Sequence, residues 1–215
     1  MKYLENIQEV AALQPDYLGF IFYDKSKRNF DGIIPKLPKT IKKTGVFVNS
    51  SIDEVVEKIK KFDLQAVQLH GNETVGLCRE LQCHFEQSEK PHNEKPNEVQ
   101  YKTEIIKVFS VGTHFDFEQL KPFENVVDYF LFDTKGKERG GNGIRFDWTI
   151  LEKYSLEKPY FLSGGIGLED VDNVLSFLQK EASKHCYALD INSKFEIEPG
   201  LKSVEKIEKF KYLIN

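Results

Sequence analysis

The chain has little of what marks a secreted, membrane-bound or nucleic-acid-binding protein. Its 215 residues include three cysteines, Cys78, Cys83 and Cys186. The count is odd, and Cys78-x₄-Cys83 has the spacing of neither a metal site nor a CxxC pair. They read as reduced thiols of a cytoplasmic protein, without a structural or catalytic role. There is no apolar run of roughly 18 residues, so no membrane-crossing helix is expected. The first residues carry neither the apolar stretch nor the small-residue cleavage site of a secretory signal. Neither sign of charge dominates: 30 basic residues face 34 acidic ones, for a net charge of -4. That balance offers no electrostatic footprint for nucleic acid, and neither nucleic acid nor membrane is expected as a partner.

What is present is a strict alternation of strand-type and helix-type segments. Short runs, apolar on both faces, mark strands at 17–22, 44–49, 66–70, 105–110, 129–133, 160–165 and 187–192. Strands of that kind belong to a parallel sheet covered by helices. Between them lie helical patterns. Ser51 followed by Glu54 forms a capping box that opens one of them. Leu168 to Gln179 and Ser203 to Leu213 carry apolar residues at helical spacing. The first segment, Met1 to Leu13, also reads as a helix. The expected fold is a single α/β domain over 1–215, a (βα)₈ TIM barrel shortened at its N-terminus so that strand one is missing and seven strands remain. Residues 84–104, polar and interrupted by Pro91 and Pro96, read as an inserted surface loop.

Barrel enzymes place their chemistry at the C-terminal ends of the strands. The polar residues there are Asn49, His70, Asp133, Ser163-Gly164-Gly165 and Asp190-Ile191-Asn192-Ser193. Taken singly, each has an ordinary structural explanation as a helix cap, a turn residue or a satisfied histidine. Their coincidence on one rim points to a site. Asp133 follows the apolar run Phe130-Leu131-Phe132 and projects from a dry strand, the setting of a general acid. After it, 135–143 is glycine-rich and charged, as in a flexible lid or a solvent loop. The Gly164-Gly165 turn and Asn192-Ser193 stand where barrels bind phosphate through backbone N–H groups. Arg28, in the loop after the first strand, is the cation best placed to grip a carboxylate.

These residues together resemble the phosphoribosylanthranilate isomerases of tryptophan biosynthesis. The resemblance rests on Leu18-Gly19-Phe20-Ile21-Phe22 with Ser26-x-Arg28, and on Gly45-Val46-Phe47-Val48-Asn49. It continues through Gln68-Leu69-His70-Gly71-Asn72-Glu73 and Phe132-Asp133, followed by Gly140-Gly141-x-Gly143 and Phe146-Asp147-Trp148. It ends with Ser163-Gly164-Gly165 and Asp190-Ile191-Asn192-Ser193 with Pro199-Gly200. It implies an Amadori rearrangement that needs no cofactor and no metal. Asp133 would be the catalytic acid and Arg28 the grip on the anthranilate carboxylate. Gly164, Gly165, Asn192 and Ser193 would hold the phosphate, Asp190 would face the sugar or the amine, and His70 would line the site. The partner is a small-molecule substrate, and the protein a monomer or homodimer. The family pattern also implies a first strand of the form Lys-Ile-Cys-Gly, whose cysteine is the base. By that pattern Met1 follows the Cys-Gly, and the chain as given is without its base.

Two other readings compete. A metal-dependent phosphosugar epimerase wants His and Asp ligands on several strand ends, and His70 has no second histidine on the rim. A degenerate barrel that only binds a phosphorylated ligand fits the missing cysteine, but leaves Asp133 and Arg28 without a use.

Overall fold

The computed structural model describes residues 1–88, 103–134 and 146–214. Seven strands form one parallel sheet in the order of the chain: β1 (Tyr17–Phe22), β2 (Lys42–Phe47), β3 (Ala66–Leu69), β4 (Glu104–Val111), β5 (Tyr129–Thr134), β6 (Tyr160–Leu162) and β7 (Cys186–Leu189). Neighbours pair in parallel throughout, with Phe22 beside Phe47 and Ser110 beside Asp133. The sheet curls strongly. The ring of Tyr17 on β1 comes within 6.4 Å of the ring of Tyr187 on β7, the opposite end of the strand order. Tyr17 also reaches across to β4, where its hydroxyl donates to Glu104 Oε2 at 2.9 Å. Seven strands of a barrel are therefore present, as expected. Among the described residues β1 and β7 each have a strand partner on one side only.

Two apolar layers result from the strand period of two. Ala66, Ile106, Val108, Leu131 and Phe161 point inward and fill the barrel, flanked by Tyr17, Tyr129 and Ala188. The alternate residues point outward against the helices. Val67, Ile105, Phe130, Phe132 and Leu162 pack there with Val55, Leu81 and Val174. Helix α1 (Leu4–Ala12) lays Ile7, Val10 and Ala11 against Leu18 and Phe20 of β1. Burying a side chain such as Ile7 or Val10 stabilises by about 2 kcal/mol.

Helix α2 (Ile52–Phe62) opens on the capping box: Ser51 Oγ accepts from Glu54 N, and Glu54 Oε2 accepts from Ser51 N at 2.9 Å. Helices α3 (Val75–Ser88), α4 (Val171–Leu178) and α5 (Val204–Ile214) complete the outer layer. After β4 and β5 the described residues hold short 3₁₀ segments, Phe117–Phe123 and Trp148–Lys153.

The element boundaries differ from the sequence expectation: β2 begins and ends two residues earlier, at Lys42 and Phe47, and β7 ends at Leu189 rather than at 192. Helix α3 runs on through His84 to Ser88, and β4 begins at Glu104, so the expected 84–104 loop is shorter at both ends. Its middle, 89–102, lies outside the described residues, as does the glycine-rich stretch 135–143. Strand β6 stops at Leu162 because Gly164 and Gly165 turn the chain at φ +96° and +69°. Beyond β7 comes an antiparallel hairpin that the strand pattern did not suggest, β8 (Glu196–Glu198) with β9 (Leu201–Lys202), turning at Gly200.

Candidate active site

His70 and Asp190 directly follow β3 and β7, and Asp133 is the penultimate residue of β5, so all three stand at C-terminal strand ends. These are alternate strands, and in a barrel alternate strands contribute the side chains of one layer. The ladder fixes their heights. His70 N donates to Phe47 O at 2.8 Å, Ser163 N to Phe132 O at 2.9 Å and Asp190 N to Leu162 O at 2.8 Å. One layer at the mouth is thus built from an imidazole and two carboxylates. His70 Nε2 stands 3.4 Å from Asp133 Oδ2. Asp133 Oδ1 accepts from Thr134 N at 2.8 Å, which pins the buried carboxyl with Oδ2 on the His70 side. Burial raises the Asp190 carboxyl above the usual carboxylate range and the charge of Asp133 raises it further, while Lys202, His70 and the Ser163 hydroxyl pull the other way. A carboxyl perturbed in this way is characteristic of sites that move protons.

The Gly164 turn lies against the same layer. A Cβ at Gly164 would stand 2.2 Å from Thr134 Oγ1 and 2.6 Å from Thr134 N, so only glycine lets the turn after β6 close on the end of β5. Phe146 N donates to Thr134 Oγ1 at 3.1 Å and holds that threonine from the other side.

Arg28 comes to this mouth already engaged. Its Nε and Nη2 donate to Glu196 on β8 at 2.6 to 3.0 Å. Glu196 Oε1 also accepts from Lys202 Nζ at 3.2 Å and from Gly200 N at 3.1 Å. Lys202 Nζ donates in addition to Asn192 O at 2.9 Å and Asn192 Oδ1 at 2.5 Å. Burial opposes the charge on Glu196, but the Arg28 guanidinium and the Lys202 ammonium outweigh it and hold the carboxyl below its ordinary range. Burial likewise lowers Lys202 from the usual lysine range, against the pull of Glu196. Ser193 opens the 3₁₀ turn that leads from Asn192 into β8.

Of the rim residues singled out in the sequence, His70, Asp133, Ser163 and Asp190 interact with one another, Asn192 meets them through Lys202, and Asn49 instead accepts from Asn72 N at 2.6 Å in the turn after β3. Glu196, Lys202, Glu73 and Lys107 were missed. Lys107 is buried on β4 and donates to Glu73 Oε2 at 2.9 Å and to the carbonyls of Leu69, Gly71 and Val108 at 3.0 to 3.2 Å. Glu73 in turn accepts from Asn49 N and Gly71 N, so this pair holds the turn that follows His70. A signal was available: Lys107 is the one charge inside the run Ile105-Ile106-Lys107-Val108-Phe109. The cysteines stand away from the mouth, Cys78 and Cys83 on α3 and Cys186 at the start of β7, the opposite end of that strand. Among the described residues no group of three or more His, Cys, Asp or Glu side chains is arranged to hold a metal, and no helix is long and apolar enough to cross a membrane.

A curled parallel α/β sheet with its titratable groups gathered at the C-terminal mouth defines the class of the barrel enzymes. Residues 1–212 match the family described as N-(5'phosphoribosyl)anthranilate (PRA) isomerase, and the chain belongs to that family. It is 39% identical over 216 residues to the N-(5'-phosphoribosyl)anthranilate isomerase of Parabacteroides distasonis, covering 98% of this chain and 88% of that protein. It is 33% identical to the enzyme of the same name from Phocaeicola vulgatus, covering 98% and 92%. Among solved structures it is similar to the phosphoribosyl anthranilate isomerase of Thermotoga maritima, with TM-score 0.75 and 29% identity over 100% of this chain and 95% of that one. It is also similar to a phosphoribosyl anthranilate isomerase in complex with reduced 1-(o-carboxyphenylamino)-1-deoxyribulose 5-phosphate, with TM-score 0.73 and 25% identity over 99% and 93%.

Proposed function

We propose that this chain is an N-(5-phosphoribosyl)anthranilate isomerase of tryptophan biosynthesis, with the mouth around Asp133 as its active site. The observation that carries the reading is the single layer of His70, Asp133 and Asp190, with Asp133 Oδ2 3.4 Å from His70 Nε2. Asp133 donates its proton to the furanose ring oxygen. The C1–O bond breaks as the nitrogen lone pair forms the C1=N bond of an iminium. A base then takes the proton from C2, and that electron pair forms C1=C2 and neutralises the nitrogen. The enol-amine finally takes a proton at C1 and gives up the proton of its C2 hydroxyl, and so becomes the ketone.

His70 holds the Asp133 carboxyl in place. Asp190 faces the sugar or the amine. Arg28 grips the ring carboxylate, and the Gly164-Gly165 turn and Asn192-Ser193 receive the phosphate. The substrate is a small molecule met in the cytoplasm by one catalytic domain, as a monomer or homodimer. In the family pattern the C2 base is a cysteine on a strand ahead of α1, and none of Cys78, Cys83 and Cys186 takes that place.

The test is turnover of N-(5-phosphoribosyl)anthranilate by three proteins: the chain as given, its Asp133→Asn variant, and a form extended at the N-terminus by a strand ending in Cys-Gly. The extended form turns over fastest. Asp133→Asn within it lowers kcat by roughly 10²- to 10⁴-fold, the usual contribution of a positioned acid. Full activity of Asp133→Asn in the extended form overturns the assignment of the acid. If the extended form is no faster than the chain as given, the cysteine is not the base.

A further inference from the structure

Arg28 has two edges on which to bind a carboxylate, and the fold has taken one. Glu196 engages the Nε–Nη2 edge through three contacts between 2.6 and 3.0 Å. Nη1 donates to no acceptor among the described residues, and the Arg28 side chain keeps 20% of its surface exposed while that of Glu196 keeps 5%. Guanidinium N–H groups are rigidly coplanar, so fixing one edge fixes the direction of the other. Glu196 is itself fixed by Lys202 Nζ and Gly200 N, and by its seat on the β8–β9 hairpin. That hairpin is tied to α1: Asn6 Nδ2 donates to Lys202 O at 2.8 Å and Lys202 N to Asn6 Oδ1 at 2.7 Å.

We propose that Glu196 is a positioning residue for carboxylate recognition: it clamps the Nε–Nη2 edge of Arg28 so that Nη1 is presented to the carboxylate on the substrate's aromatic ring. This rests on the isomerase reading above and adds to it how the arginine is aimed. Lys202 acts behind the clamp. Its ammonium, with Arg28, favours the charged form of Glu196, and the carboxylate opposes the effect of burial on the lysine. The alternative role for Glu196 is competition, an internal carboxylate that the ligand must displace. The two roles predict opposite signs.

The experiment is calorimetric binding of reduced 1-(o-carboxyphenylamino)-1-deoxyribulose 5-phosphate, beside the same compound lacking the ring carboxylate. The wild type prefers the carboxylated compound. Glu196→Gln weakens binding of that compound roughly 10- to 100-fold, the worth of one well-aimed charge-assisted contact, and leaves the other compound nearly unchanged. In an Arg28→Lys background the preference is already lost, and Glu196→Gln has no further effect on it. That coupling is a readout that a general loss of packing does not reproduce. Glu196→Asp, which keeps the charge on a shorter side chain, recovers part of the preference and serves in place of Glu196→Gln should the latter fail to fold. Equal or tighter binding of the carboxylated compound by Glu196→Gln overturns the positioning role. A wild type that binds neither compound overturns the isomerase reading itself.

Discussion

Single residues at this mouth are held by contacts that leave little freedom to substitute. Asp133 shows the principle: one carboxyl oxygen is fixed by its neighbour's N–H and the other lies 3.4 Å from the His70 imidazole. Gly164 shows it more sharply, because two independent constraints coincide there. Its φ of +96° lies in the region that disfavours a side chain, and a Cβ would meet Thr134 at 2.2 Å. The backbone penalty is about 1 kcal/mol and the overlap adds roughly 1 to 3 kcal/mol. Gly164→Ala therefore lowers unfolding free energy by about 2 to 4 kcal/mol in urea titration. It also weakens binding of the phosphorylated product analogue, since Thr134 can yield only by shifting the residue next to Asp133. A variant as stable as wild type, with unchanged analogue affinity, would show that the turn relaxes without disturbing the site. The sequence displayed Gly164-Gly165 as a turn, but not the clash, because Thr134 is thirty residues away in the chain.

At the scale of elements, the loop after β3 depends on a buried ion pair on β4. Lys107 and Glu73 expose 4% and 1% of their side chains, and between them they hold Asn49, Gly71 and the carbonyl of Leu69. Removing one partner from such a pair leaves an uncompensated buried charge, which costs about 3 to 5 kcal/mol. Glu73→Gln and Lys107→Met are each destabilised by about that much at pH 7, and the double variant by less than the sum. Burial opposes ionisation of Glu73, yet Lys107 and the Asn49 N–H hold its carboxyl below the ordinary value. A carboxyl that binds its proton more weakly when folded supplies stability above its unfolded value of about 4.3, and that stability is lost as pH falls through the lower, folded value. Urea titrations across pH 3 to 7 test this: the gap between wild type and Glu73→Gln is full at neutral pH and shrinks only in acid. A gap that is constant with pH would mean that Glu73 carries no linked proton. Nothing in the sequence pairs these two residues. Glu73 sits in a polar turn and Lys107 in a strand, and only the register of β3 against β4 brings them together.

For the whole molecule, the strand count was legible because buried parallel strands are short apolar runs, and all seven recur in chain order with their ends shifted by up to three residues. The rim candidates stood out because five of the runs end in a polar residue, at Asn49, His70, Ser110, Asp133 and Asn192. What the pattern hid were the groups acting through others: Glu196 and Lys202 lie on a hairpin of three and two residues, too short to show a period. The order of pairing then makes a statement about local stability. β4 and β5 are each flanked by a strand on both sides and share the long register from Ile106–Tyr129 to Val111–Thr134. β7 is four residues long, its pairing to β6 is interrupted by a register shift, and among the described residues it has no strand beyond it. Local opening follows the number of buried contacts and paired amides. Amide hydrogen exchange therefore shows the slowest amides in Ile105–Val111 and Tyr129–Thr134, and the fastest strand amides in Cys186–Leu189. β1 is intermediate, since α1 covers its outer face while one edge has no strand partner. Adding the N-terminal strand ending in Cys-Gly slows exchange in β1 and β7 selectively if it pairs with both edges, and leaves β4 and β5 as they were. Protection in β7 equal to that in β4 would mean that its outer edge is covered in solution.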